Sequence, residues 1–125
     1  MGEQALVVED DPTIAYLLAR VLSGWGYSVV QVADGEQALS LVSNWRVDGL
    51  VLLDDQFTGA AGESCLELCR RLKLASRHQA QIVLLGSDCD ELSRARARAA
   101  GADLVVRKPF QLPELAAACL MARLH

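Results

Sequence analysis

A chain of 125 residues, 52% hydrophobic and 22% charged, has the make-up of one water-soluble domain, long enough to bury a core without metals or disulfides to hold it. Its formal charge of −4 argues against nucleic acid as a direct partner, because grip on a phosphate backbone rests on clustered positive charge. No apolar run approaches the roughly 20 residues that span a bilayer, and "MGEQALVV" lacks the basic flank and long apolar region of a secretory signal. No membrane partner is therefore expected, and the cytoplasm is the expected compartment.

The first predicted element is the apolar strand Ala5–Val8, which runs into Glu9-Asp10-Asp11. Asp11-Pro12 has the form of a helix N-cap followed by proline at the first helical position. Ile14, Leu17, Leu18, Val21, Leu22 and Trp25 then recur at helical spacing until Gly24 and Gly26 interrupt them. A second strand covers Ser28–Val32. Asp34, with Gln37 three residues on, resembles a capping box and opens a helix bearing Ala38, Leu41, Val42 and Trp45. The third strand, Leu50–Leu53, ends in Asp54-Asp55. In the next helix Cys65, Leu68, Cys69 and Leu72 make an i, i+3, i+4, i+7 stripe.

A fourth strand, Ile82–Leu85, runs into Gly86-Ser87-Asp88. The helix at Asp90–Ala100 follows, with Gly101 placed to close it. Its "RARAR" run puts Arg94 and Arg98 on one face and Arg96 roughly opposite, so the arginines form no single phosphate-binding stripe. The fifth strand, Leu104–Val106, leads to Arg107-Lys108-Pro109, and a last helix spans Leu112–Leu124. There Cys119 falls among Leu112, Leu115, Ala116 and Leu120. With no Cys-x-x-Cys and no neighbouring histidine pair, Cys65, Cys69 and Cys119 are expected to act as small core hydrophobes rather than metal ligands. Cys89 alone sits in a polar loop, and nothing else in the sequence supports a redox role for it.

Most of the strands are continuously apolar, as parallel strands covered on both faces must be. Strict β-α alternation without a linker or repeat predicts a single domain over residues 1–125 of the α/β class. Its architecture would be a doubly wound, five-stranded parallel sheet with five helices in three α/β/α layers. In such folds polar groups at the carboxyl ends of the strands converge at the topological switch point. Acids after the first and third strands and a base after the fifth should meet there. Because side chains alternate along a strand, Asp54 and Asp55 should point to opposite sides, and at most one should share that site.

Carboxylates gathered at one sheet end repel one another unless a cation neutralises them. Without Cys or His ligands, the matching ion is a hard one, Mg²⁺ or Mn²⁺. Lys108 would balance charge and could hold a phosphoryl group as a point charge. Acids, divalent metal and lysine together suit phosphoryl transfer onto an aspartate nucleophile. The plainer account, that acids after strands only cap helices, suits Asp11, Asp34 and Asp90 but leaves Lys108 unexplained.

The segments "ALVVEDDP", "LVLLDDQFTGAAG" and "AAGADLVVRKPF", in this order and spacing, resemble the receiver domain of bacterial two-component response regulators over essentially the whole chain. The resemblance implies a flavodoxin-like fold. It also implies a phosphoprotein rather than an enzyme, supporting only its own phosphotransfer and autodephosphorylation. A histidine kinase or phosphotransfer protein would donate the phosphoryl group, in a phosphorelay that alters binding of an output protein or domain.

Matched residue by residue, Glu9 and Asp10 become the acidic pair, Asp10 binding Mg²⁺ directly and Glu9 largely through water. Asp54 becomes the phosphoacceptor, since Gly59 and Gly62 follow it at the family spacing and fit Asp55 at neither. Gln56 would lend its backbone carbonyl to the metal. Lys108 becomes the family lysine, and its bond to Pro109 is expected to be cis.

Two switch positions depart from the pattern. Gly86 stands where the family has Thr or Ser, and Val105 where it has an aromatic. Ser87 could replace the missing hydroxyl only if the strand end were shifted or bulged. The chemistry of phosphorylation is thus expected without the usual Thr–Tyr switch.

An alternative is a pseudo-receiver, a protein-binding module that signals without phosphate. A metal-dependent phosphatase fits less well, since such enzymes commonly carry Asp-x-Asp and a cap. The resemblance puts partner contacts on the 90–125 face, where Arg94, Arg98 and Arg107 suggest an acidic partner and a homodimer is conceivable.

Overall fold

The computed structural model describes residues 3–59, 62–87 and 90–124; Asp88 and Cys89 lie outside the described residues. In chain order the elements are β1 (Gln4–Val8), α1 (Pro12–Gly24), β2 (Ser28–Val32), α2 (Gly35–Ser43), β3 (Gly49–Asp54), α3 (Cys65–Ala75), β4 (Ala80–Gly86), α4 (Glu91–Ala99), β5 (Leu104–Arg107) and α5 (Leu112–Arg123). The strands form one parallel sheet in the order β2-β1-β3-β4-β5. This is the doubly wound fold the alternation predicts. β3 runs two residues longer than its apolar run and β4 three, because pairing continues through Gly49↔Ala80 and Asp54↔Leu85 and, on the other side of β4, Gly86↔Arg107.

The sheet buries both faces. Leu6, Val8, Val51, Leu53, Ile82 and Leu84 meet α2, α3 and α4 through Val42, Leu68, Leu72 and Ala97. The alternate residues Val7, Leu50, Leu52, Val83 and Leu85 meet α1 and α5 through Leu18, Leu22, Leu115 and Cys119. Each fully buried leucine contributes roughly 1.5–3 kcal/mol relative to leaving it in water. Cys65, Cys69 and Cys119 lie in these cores as free thiols, and burial pushes the first two up to about 12 and the third to about 11. They are inert packing groups at neutral pH.

Helix caps follow the acids. Asp11 accepts the amides of Thr13 and Ile14, Asp34 that of Glu36, and Asp90 that of Ser93. The packed face of α1 differs from the expected stripe. Ala15, Leu18, Ala19 and Leu22 are buried, whereas Ile14, Leu17 and Trp25 are exposed. Alanines add little to an apolar pattern, yet their small side chains let a helix approach the sheet closely. The same happens on α5, where Ala118 and Ala122 pack inward and Leu112 and Leu120 face out.

At the amino end of β3, a Cβ built on Gly49 would fall 2.5 Å from the Trp45 ring. Gly49→Ala is therefore expected to displace that ring and cost about 1–2 kcal/mol of stability. Urea unfolding would check this, and an unchanged midpoint would show that the ring swings away freely.

Candidate functional site

β1 and β3 are neighbours whose chains leave for opposite faces of the sheet, so their carboxyl ends border the switch point. Glu9 follows β1 directly and stays tied to the sheet, its amide donating to the Val32 carbonyl at 3.1 Å. Asp54 is the last residue of β3, and Lys108 follows β5, its amide donating to the Gly86 carbonyl at 2.8 Å. The peptide bond between Lys108 and Pro109 is cis, as expected.

Lys108 and Asp54 meet. The ammonium Nζ lies 2.8 Å from Asp54 Oδ1, and the Gln56 amide donates to the same oxygen at 2.9 Å. Asp54 is buried, and burial alone would raise its pKa. The neighbouring Glu9 carboxyl, Lys108 and the Gln56 amide outweigh that and hold it below the usual carboxylate range. Lys108 is shifted upward: partial burial opposes its charge, but Asp54 and then Asp55 favour it more.

Glu9 is only 4% exposed. Its Oε1 accepts the Asp11 amide at 3.0 Å, while the buried Oε2 has no hydrogen-bond partner. Desolvation, followed by the neighbouring Asp54 carboxylate, pushes its pKa up to about 7. An orphaned, buried carboxylate oxygen beside a second carboxylate is the donor chemistry a hard cation satisfies. Asp10 is exposed next to it and adds to the upward push on Glu9. Among the described residues, no three His, Cys, Asp or Glu side chains are already gathered as a metal cage. The pocket thus offers oxygen donors from two strand ends, with Asp10 at the rim.

Asp55 departs from expectation. It also reaches Lys108, with Oδ1 3.4 Å from Nζ, and its Oδ2 accepts both the amide and the hydroxyl of Ser87 at 2.8 and 2.9 Å. Alternation separates side chains only within a strand, and β3 ends at Asp54. The Asp55 amide still donates to the Leu85 carbonyl, after which the chain turns. The long Lys108 stem spans both acids. β4 and β5 pair regularly through Gly86↔Arg107, and Ser87, just beyond, is held toward Asp55.

Gly86 and Val105 line, with Asp55, Leu84 and Ala97, a cavity of about 270 Å³ beside this contact. On the far side, Arg94 and Arg107 border a depression of about 250 Å³ with Leu104, Glu114 and Met121, on the face formed by α4, β5 and α5.

A five-stranded doubly wound sheet with an acid pair, an ionised aspartate and a lysine at its switch point defines the class of response regulator receivers. A family model described as the response regulator receiver domain matches residues 5–120, and the chain belongs to that family. It is a signalling domain of the two-component type.

Over 117 residues the chain is 39% identical to the DNA-binding response regulator MtrA of Mycolicibacterium smegmatis, covering 94% of this chain and 49% of that protein. The chain thus spans about half the length of the curated relatives it matches. It is also similar to the receiver domain of the sensor histidine kinase PA1611 of Pseudomonas aeruginosa, solved with magnesium in the active-site cleft. The two share 26% identity and a TM-score of 0.78, with 97% of each chain covered. A response regulator protein of Burkholderia pseudomallei, solved with a phosphorylated aspartic acid and a calcium ion, matches at 26% identity and a TM-score of 0.77. That match covers 94% of this chain and 66% of the other.

Proposed function

We propose that residues 1–125 act as one receiver domain that accepts a phosphoryl group onto Asp54 from a histidine kinase or phosphotransfer protein. The observation that carries this reading is Asp54 itself, buried, held ionised, and bonded to Lys108 beside the orphaned Glu9 oxygen. An Asp54 carboxylate oxygen attacks phosphorus, and a P–O bond forms as the P–N bond to the donor histidine breaks, its electron pair leaving with the imidazole. Lys108 stabilises charge that builds on the transferred oxygens. Glu9, Asp10, Asp54 and the Gln56 backbone carbonyl would hold Mg²⁺ or Mn²⁺. The metal supplies neutralisation of the acids and of the incoming phosphoryl charge.

The aspartyl phosphate then changes binding of an output partner. The face of α4, β5 and α5, with Arg94, Arg98 and Arg107, suits an acidic partner, a linked output domain or a second copy of the chain. In MtrA, a receiver of this kind belongs to a DNA-binding regulator, and an output domain of that type is a reasonable analogue. The reading places the protein in the cytoplasm. The chain is expected to gain one phosphoryl group from acetyl phosphate with Mg²⁺, and borohydride reduction with peptide mapping should locate it on Asp54. No incorporation, or incorporation on Asp55, overturns the reading.

A second reading, a pseudo-receiver that binds partners without phosphate, draws support from the switch positions. Gly86 brings no hydroxyl, Val105 no aromatic, and the Ser87 hydroxyl is held by Asp55. Calorimetry with Mg²⁺ separates the two, because a pseudo-receiver has no use for the ion.

A further inference from the structure

Asp55 is bonded at both ends. Oδ2 takes the amide and hydroxyl of Ser87, and Oδ1 faces Lys108. Gln56 closes the group, its side-chain amide donating to Ser87 Oγ at 3.1 Å and lying 3.4 Å from Asp55 Oδ1. One carboxylate therefore ties together the ends of β3, β4 and β5. The donors it holds, an N–H, an O–H and an ammonium, are the kind that bind phosphoryl oxygens.

We infer that Asp55 is a resident anion that competes with a phosphoryl group on Asp54 for the donors of Ser87 and Lys108. Asp55 thereby positions both residues and regulates the site. The inference rests on the proposed phosphorylation of Asp54. Without a phosphoryl group, Asp55 holds the Ser87 donors, and Ser87, just after β4, is drawn toward the turn after β3.

A tetrahedral anion on Asp54 adds negative charge one residue away from Asp55. Like charges repel at such range, and Lys108 already favours Asp54, at 2.8 Å against 3.4 Å. Asp55 then loses Lys108, and the Ser87 N–H and O–H turn from one anion to the other. Asp55 lines the cavity beside Gly86 and Val105, which leaves room for its carboxylate to turn aside. A hydroxyl one residue past the strand end thus reports the phosphoryl group, and Asp55 sets the threshold.

The test is the affinity for beryllofluoride with Mg²⁺ of the wild type, Asp55→Asn and Ser87→Ala, with thermal unfolding of each to confirm folding. The inference demands effects of opposite sign. Asp55→Asn removes the competitor and should tighten beryllofluoride binding about tenfold. Ser87→Ala removes a donor and should weaken it by a similar factor, about the size of a hydrogen bond to a charged group. Breaking a merely structural contact would move both variants in the same direction. Effects of the same sign, or affinities within about twofold of wild type, overturn the inference. A wild type that binds no beryllofluoride overturns the proposed phosphorylation itself, whereas binding without the opposed effects removes only the role of Asp55. Ser87 is exposed, so Ser87→Ala should fold even if Asp55→Asn does not; in that event unchanged affinity in Ser87→Ala alone overturns the inference.

Discussion

Asp54→Asn is expected to abolish phosphoryl uptake from acetyl phosphate, while Asp55→Asn retains it. The two side chains are adjacent in sequence and both touch Lys108, so the distinction has to come from their surroundings. Asp54 ends β3 inside the pocket, where two donors converge on one of its oxygens and Glu9 lies alongside. Those bonds fix the carboxylate and keep it charged, and a charged, immobilised oxygen is what attack on phosphorus requires.

Asp55 sits at the rim and commits both oxygens to Ser87 and Lys108. Asparagine matches aspartate in shape, so Asp54→Asn should fold, yet an amide oxygen is a far weaker nucleophile. Intact-protein mass spectrometry after incubation with acetyl phosphate and Mg²⁺ would show the added mass in wild type and Asp55→Asn alone. Equal labelling of wild type and Asp54→Asn would mean that another group is the acceptor.

The strand order and the pocket were legible because they follow from coarse features. Five apolar runs alternating with helical segments leave few topologies, and the polar residues after the first, third and fifth runs then have to meet. The assignment of Asp54 over Asp55 came from the spacing of Gly59 and Gly62, which only the resemblance makes meaningful. Two things stayed hidden for physical reasons.

The first is the inward face of α1, which is set by Ala15 and Ala19. Apolar periodicity weighs large side chains and passes over the small ones that decide how closely a helix packs. The second is the contact between Asp55 and Ser87. It joins residues 32 positions apart, each just beyond the regular end of its strand. Strand alternation no longer applies there, and the pairing Asp54↔Leu85 that sets them side by side is a property of the assembled sheet. A serine beside an unexpected glycine was a visible signal, but its partner was not.

Glu9→Gln is expected to stabilise the metal-free protein at pH 8 by about 3 kcal/mol and to make almost no difference near pH 4.5. The Glu9 carboxyl has its pKa pushed from an ordinary 4.5 to about 7, chiefly by burial and then by Asp54. Below pH 4.5 the group is protonated in both folded and unfolded chains, and its contribution to stability is fully present. Between pH 4.5 and about 7 the folded protein holds a proton that the unfolded chain has released, so stability falls as pH rises through this window. Above it the loss is complete, and a shift of this size corresponds to roughly 3 kcal/mol.

Asp54 acts in the opposite sense at lower pH. Its lowered pKa contributes stability that is present above about pH 4 and lost in stronger acid. Thermal unfolding of wild type and Glu9→Gln across pH 4.5–8 should therefore give curves that diverge on the alkaline side, by about 10 °C in Tm at pH 8. Curves that run parallel would mean that Glu9 is not the strained group. Adding Mg²⁺ at pH 8 should recover much of the difference in wild type and little in Glu9→Gln, since a cation relieves the same repulsion that protonation relieves at low pH. A carboxylate that weakens its own fold at neutral pH is then the cost of the divalent-ion site proposed next to Asp54.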